Sequence, residues 1–159
     1  MTHPNAQLIT RFYESFSQRD AEGMAACYHP DVVFSDPAFQ SLRGAEAGDM
    51  WRMLVSRGKD LTVEFRDVSA DDNVGSAHWD ARYTFGATGK KVLNQIDARF
   101  EFRDGLIVRH TDSFDFAVWS RQALGLVGLL FGRTSWLERK VRRGAGEQLA
   151  AYRAKHRKA

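Results

Sequence analysis

Over its first 115 residues the apolar pattern of this chain changes period near residue 60, and that switch restricts this part to helices first and a sheet afterwards. Leu8, Phe12 and Phe16, with Ile9 and Tyr13 beside them, recur every four residues behind Pro4, which a first helical turn tolerates. The spacing predicts an amphipathic helix to about Ser17. Asp20 suits the N-cap of a second, short helix ending near Tyr28. Val32-Val33-Phe34 reads as a short strand stopped by Asp36-Pro37. Gly44 to Arg57 reads as a third helix with Ala47, Met50, Trp51 and Leu54 on one face, stopped by Gly58.

Beyond that point every second residue is apolar. Leu61, Val63 and Phe65 alternate with polar residues, as do Trp79, Ala81, Tyr83 and Phe85, and then Ile96, Ala98, Phe100 and Phe102. Asp104-Gly105 tolerates positive φ at both positions and marks a hairpin into a last strand from Leu106 to about Phe114. Helices followed by an antiparallel meander imply an α+β domain, with helices on one sheet face and the other face polar.

With 43% apolar and 27% charged residues in 159, the chain has the balance of one globular domain. Eleven Phe and four Trp promise an aromatic interior. Cys27 is the lone cysteine, in an Ala-rich helical run, and reads as a small buried residue. The five histidines are scattered without metal-ligand spacing, and there is no Gly-rich phosphate loop, so neither a metal nor a cofactor is expected. Met1 to Asn5 lacks the basic and apolar regions of a signal peptide, which makes the cytoplasm the expected location.

Strand parity selects the candidate site. His110 and Asp112 share a side with Leu106, Val108 and Phe114, so two ionisable groups fall on the covered, apolar face. A desolvated His and Asp perturb one another's pKa, as acid–base chemistry requires; an internally satisfied core pair fits the spacing equally. Asp36 ends the first strand, where an Asp before Pro is commonly a turn residue. His78, Asp80 and Arg82 take the opposite parity and should pair outward with Asp97, Arg99 and Glu101.

The order of elements over residues 5–116, the step Tyr28-His29-Pro30-Asp31-Val32-Val33-Phe34 into Ser35-Asp36-Pro37, and the runs Phe102 to Val108 and His110 to Asp115 together resemble the nuclear-transport-factor-2-like superfamily. Within it they are most similar to SnoaL-like and ketosteroid-isomerase-like bacterial proteins. The resemblance implies a cone: a curved antiparallel sheet with three N-terminal helices on its concave face, the cystatin-like α+β barrel. It also implies a pocket between helices and sheet for a small apolar ligand. Asp36 falls at the isomerases' general-base position, and Asp112 at the catalytic acid of cyclases and epoxide hydrolases. Catalytic Asp36, His110 and Asp112 are thus expected, in a pocket lined by Phe12, Phe16, Trp51, Trp79, Tyr83, Asn94, Ala98 and Phe114. Phe12 and Ala98 occupy the isomerases' oxyanion-hole positions, and His78 and Asp80 leave the hydrolases' triad without its Arg. The implied chemistry is isomerase, cyclase or hydrolase-like work on a polyketide, terpenoid or steroid-like compound. A binding-only module of the same fold is the alternative.

Charge divides the chain. Residues 1–115 carry 13 Lys+Arg against 18 Asp+Glu, whereas residues 116–159 carry 10 against 2. The expected division is a cone domain over 1–117 and a helical extension over 118–159. Within the extension, an apolar run from Ala123 to Phe131 precedes a basic helix from about Ser135, with Trp136 or Leu137, Val141, Ala145, Leu149 and Tyr152 near one face and Arg153 to Lys158 at its end. A solvated basic face, a cap on the pocket, a homodimer contact and an anionic membrane surface all fit this run. A homodimer through the polar sheet face is also expected. Nucleic acid is not, because the cations are not interleaved with stacking aromatics.

Overall fold

A computed structural model describes residues 2–156. It opens with three helices: α1 (Pro4–Ser17), α2 (Ala21–Ala25) and, after two short strands, α3 (Ala45–Arg57). The helix-period residues form the inner faces as the spacing predicts, with Ile9, Phe12 and Tyr13 fully buried. The Asp20 side chain caps α2 by accepting the Gly23 N–H at 2.9 Å.

The strands are β1 (Tyr28–Ser35), β2 (Leu42–Arg43), β3 (Thr62–Ala70), β4 (Val74–Phe85), β5 (Lys90–Arg103) and β6 (Leu106–Ser113). They form one open sheet in the order β2-β1-β6-β5-β4-β3. The meander from β3 to β6 is antiparallel, but β1 lies parallel to β6, a pairing that the local pattern around Pro30 concealed. Register shifts at Arg66/Ser69, with Asp67 at φ 58°, and at Glu101/Phe102 bend the strands and curve the sheet around the helices. Asp104 and Gly105 make the β5–β6 turn with both φ positive, as the Asp-Gly pair predicts. At Gly75 a Cβ would stand 2.8 Å from Ile9 Cδ1, so the missing side chain lets α1 settle on β4.

The outward ladder differs from the expectation in its partners. His78 bonds Asp97 across β4–β5, but Asp80 takes Arg66 and Arg82 takes Glu64, both from β3. Asp80 is only 7% exposed, covered by Arg66 and by His78, whose ring lies 2.9 Å from it.

The remaining chain forms α4 (Phe116–Leu124), α5 (Leu126–Phe131) and α6 (Ser135–His156). Of the terminal basic run, Arg157 and Lys158 lie outside the described residues. Helix α4 covers the end of the sheet, with Trp119 and Ala123 packed on Val92. Leu149 of α6 joins the main core, with Ala145 and Tyr152 against it. Leu137 rather than Trp136 is the seated residue at the start of α6: it is 2% exposed and Trp136 50%. Arg153 ties α6 to α3 through Asp49 at 2.8 Å and Glu46 at 3.7 Å. Helix α5 sits on α4 by glycine: a Cβ at Gly128 would lie 1.9 Å from the Ser120 carbonyl oxygen. Gly128→Ala should therefore unseat α5 and lower the melting temperature by several degrees, at about 2 kcal/mol for a clash with rigid backbone; an unchanged melt would contradict this packing.

Candidate functional site

Phe34, Phe100 and Phe12 enclose the His110 ring, with centroids at 5.0, 4.4 and 5.4 Å, and Trp51 stacks over it at 6.1 Å. These side chains come from β1, β5, α1 and α3, so the imidazole stands where the sheet and two helices meet. It is completely buried.

A buried imidazole needs partners for both nitrogens. The Tyr28 hydroxyl lies 2.8 Å from Nδ1, and Asp112 Oδ1 lies 2.8 Å from Nε2. The Trp51 indole N–H donates to the same Tyr28 oxygen at 2.8 Å. Since an indole nitrogen only donates, one arrangement gives every donor an acceptor: Trp51 N–H to Tyr28, Tyr28 O–H to His110 Nδ1, and His110 Nε2–H to Asp112. The chain of bonds runs one way and fixes the His110 tautomer. Trp79 adds a longer contact to Asp112 Oδ1 at 3.5 Å. Asp112 itself is 5% exposed, and its Oδ2 has no partner among the described residues. Ala98 stands opposite Asp112 in the register.

Asp36 lies at the rim. Its Oδ1 accepts the backbone N–H groups of Ala38 and Phe39 at 2.7 and 2.6 Å, the turn role that its place before Pro37 suggests. Burial raises its pKa to about 7; the Asp112 charge adds to the rise, while the turn N–H groups and Arg142 oppose it. Arg142 of α6 also donates from Nε to the Pro37 carbonyl at 3.0 Å, placing that helix at the same rim. Burial likewise raises Tyr83, with the Asp36 charge contributing to the rise. The Tyr83 oxygen accepts the Trp119 N–H at 2.7 Å, which leaves its own O–H free to donate.

The expected residues therefore fall into an inner and an outer set. Phe12, Phe16, Trp51 and Trp79 pack around the His110–Asp112 pair, with Phe16 at 5.1 Å from Trp51 and 5.3 Å from Trp79. Tyr83 and Asp36 stand toward the rim, with Phe114 half-buried just after β6. Asn94, half-buried beside Ala81 in the register, makes no side-chain hydrogen bond among the described residues. Tyr28, Tyr13 and Arg142 were missed. Tyr28 has the parity of Phe34, and a strand begun at 28 instead of 32 would have turned it inward. The Tyr13 hydroxyl is fully buried with no hydrogen-bond partner, and burial holds its pKa well above 10. Two surface hollows do not open on this site. The larger, about 450 Å³, lies on the polar sheet face between Ser69, Arg99, Glu101 and Arg109.

Comparison with known proteins follows this geometry. A family model described as SnoaL-like domain matches residues 9–110, and so ends before α4. A crystal structure of TerC co-crystallised with polyporic acid is 21% identical with a TM-score of 0.64, covering 76% of this chain and 98% of that one. A polyketide cyclase, so designated provisionally, from Xanthomonas campestris pv. campestris is 21% identical with a TM-score of 0.63, over 75% and 96%. An LEH-like epoxide hydrolase from M. tuberculosis is 22% identical with a TM-score of 0.63, over 81% and 96%. These likenesses establish the shared fold. No curated protein sequence matches the chain.

Proposed function

This chain belongs to the SnoaL-like domain family, and from that premise we propose that it is a cofactor-independent acid–base enzyme acting on a small, apolar, oxygenated ligand. The observation that carries the reading is Asp36, a carboxyl with one oxygen held by the turn, the other unbonded among the described residues, and a pKa raised to about 7. Such a group takes and returns a proton at neutral pH, where an ordinary Asp is too weak a base. Tyr83 O–H is the donor to a carbonyl or hydroxyl at the rim, and Asn94 orients the ligand further along β5. Asp112, its Oδ1 anchored by His110, offers its Oδ2 as a second carboxylate acceptor.

The interior is filled by its own aromatic side chains, so a ligand enters by displacing them or α6. The clamps of that helix, Arg153 on Asp49 and Arg142 on Pro37, are exchangeable polar contacts at the rim. In this reading the 118–159 extension is a cover on the 1–117 domain, and a second copy packs on the polar face around Arg99, Glu101 and Arg109.

Polyporic acid, the compound in the TerC crystal, and a set of apolar enolisable ketones are suitable probes. Incubation in D2O followed by mass spectrometry should show deuterium entering a ketone in the presence of the protein, with a rate that rises through about pH 7. Asp36→Asn should abolish that exchange. Tight binding of a probe with no exchange, and with affinity indifferent to Asp36→Asn, would mark a binding module instead.

A further inference from the structure

Helix α5 is turned inside out. Its Gly128 and the Gly132 that caps it face α4, where a Cβ would strike the Ser120 carbonyl and the Ser120 hydroxyl respectively. Its large residues therefore point away from the protein: Leu126 is 68% exposed, Leu129 61%, Leu130 63% and Phe131 43%. Trp136 extends the patch, with its ring 5.7 Å from Phe131. A fold that needed these side chains for its core would have seated them and exposed the glycines.

The surroundings of the patch are cationic. Lys140 lies 5.3 Å over the Trp136 ring, and Arg133, Arg139 and Arg143 are exposed nearby in sequence without a carboxylate partner among the described residues. Glu138 is neutralised by Arg142 at 3.0 Å. A second copy is a poor occupant, because a symmetric contact through this patch would gather the Arg133, Arg139 and Lys140 charges of both copies around one interface. An anionic bilayer matches both properties: its acyl boundary takes the Leu, Phe and Trp side chains, and its headgroups take the cations. No helix among the described residues is long and apolar enough to cross a membrane, so the contact is peripheral.

We propose that α5 and the first turns of α6 form a docking surface for anionic lipid bilayers. Leu126, Leu129, Leu130 and Phe131 insert, Trp136 sits at the interface, and Arg133, Arg139, Lys140 and Arg143 hold the headgroups. The inference stands apart from the acid–base reading, since none of these residues belongs to that site.

The test is flotation of the full chain with phosphatidylcholine vesicles, alone or mixed with phosphatidylglycerol. The protein should float with the mixed vesicles at low salt, and much less with neutral vesicles or at high salt. Arg139→Ala with Lys140→Ala should lower the partition coefficient roughly thirtyfold, at about fivefold per cation. Leu129→Asp with Leu130→Asp should abolish flotation while leaving the circular-dichroism melt unchanged, because both positions are exposed. A wild-type chain that stays in the soluble fraction with mixed vesicles overturns the proposal. So does a double Asp variant that floats like wild type. Concentration-dependent self-association that Leu130→Asp abolishes would assign the patch to a second copy and overturn it as well. Ketone exchange should be the same in wild type and these variants without vesicles, so a failure here is distinguishable from a failure of the acid–base reading.

Discussion

Asp36→Asn is expected to slow proton transfer by about a hundredfold to ten-thousandfold and, at pH 8, to make the protein more stable than wild type. The folded-state pKa of about 7 lies above the ordinary carboxyl value of 3.8 that the unfolded chain would show. Below the lower value both states hold the proton, and Asp36 contributes nothing to pH dependence. Between the two values only the folded state keeps it, so stability falls as pH rises. Above pH 7 the full cost of a desolvated carboxylate is present. At about 1.4 kcal/mol per pKa unit that cost comes to a little over 4 kcal/mol, and partial solvent access at the rim brings it toward about 2. Asn keeps an oxygen for the Ala38 and Phe39 N–H groups and carries no charge. Urea titrations at pH 5 and pH 8 should show wild type losing stability across that range while Asp36→Asn changes little. Parallel pH dependence in the two proteins would show that Asp36 is an ordinary, solvated turn residue. Stability given up at a reacting group is a common trade in enzymes.

His110→Ala should be the most destabilising single substitution at the site. It opens a cavity among Phe34, Phe100, Phe12 and Trp51, and strips Tyr28 and Asp112 of their buried partners. The cavity and the orphaned polar groups together cost about 4 kcal/mol, which lowers the melting temperature by roughly 10 °C in a domain of this size. Tyr28→Phe keeps the packing and removes only the hydroxyl that links Trp51 to His110, so its cost is smaller, about 2 kcal/mol. Calorimetry on the two variants measures both. A loss under about 1 kcal/mol for His110→Ala would mean that the bond chain holds nothing in place.

Much of this is legible in the amino-acid sequence. The change of period located the helices and the meander, and Asp104-Gly105 located a turn, because each signal is local. Parity turned His110 and Asp112 inward, and they lie there, 2.8 Å apart, but the register shift earlier in β6 puts Ile107 rather than Leu106 and Val108 in the core. What escaped is long-range. The parallel β1–β6 pairing joins residues some eighty positions apart and carries no mark in either segment. Tyr28 became visible as the third member of the bond chain only once that pairing was known. Arg142 reaches the Asp36 turn from 105 positions away, and nothing in the basic run distinguishes it from its neighbours. The extension posed the opposite difficulty. Its apolar run fits a cap, a dimer contact or a membrane surface equally, and only the close approach of Gly128 and Gly132 to Ser120 shows which side faces out.

The open sheet also has two free margins, and each is blunted. Strand β2 offers only two residues, too short a template for another chain to extend. Strand β3 carries Glu64, Arg66 and Asp67 beside its register shift, so an incoming strand would meet alternating charge and a kinked backbone. Strand addition, the usual path by which an unclosed sheet runs on into aggregates, is disfavoured at both ends. The kink at Arg66/Ser69 that helps curve the sheet thus also works against strand addition at the β3 margin.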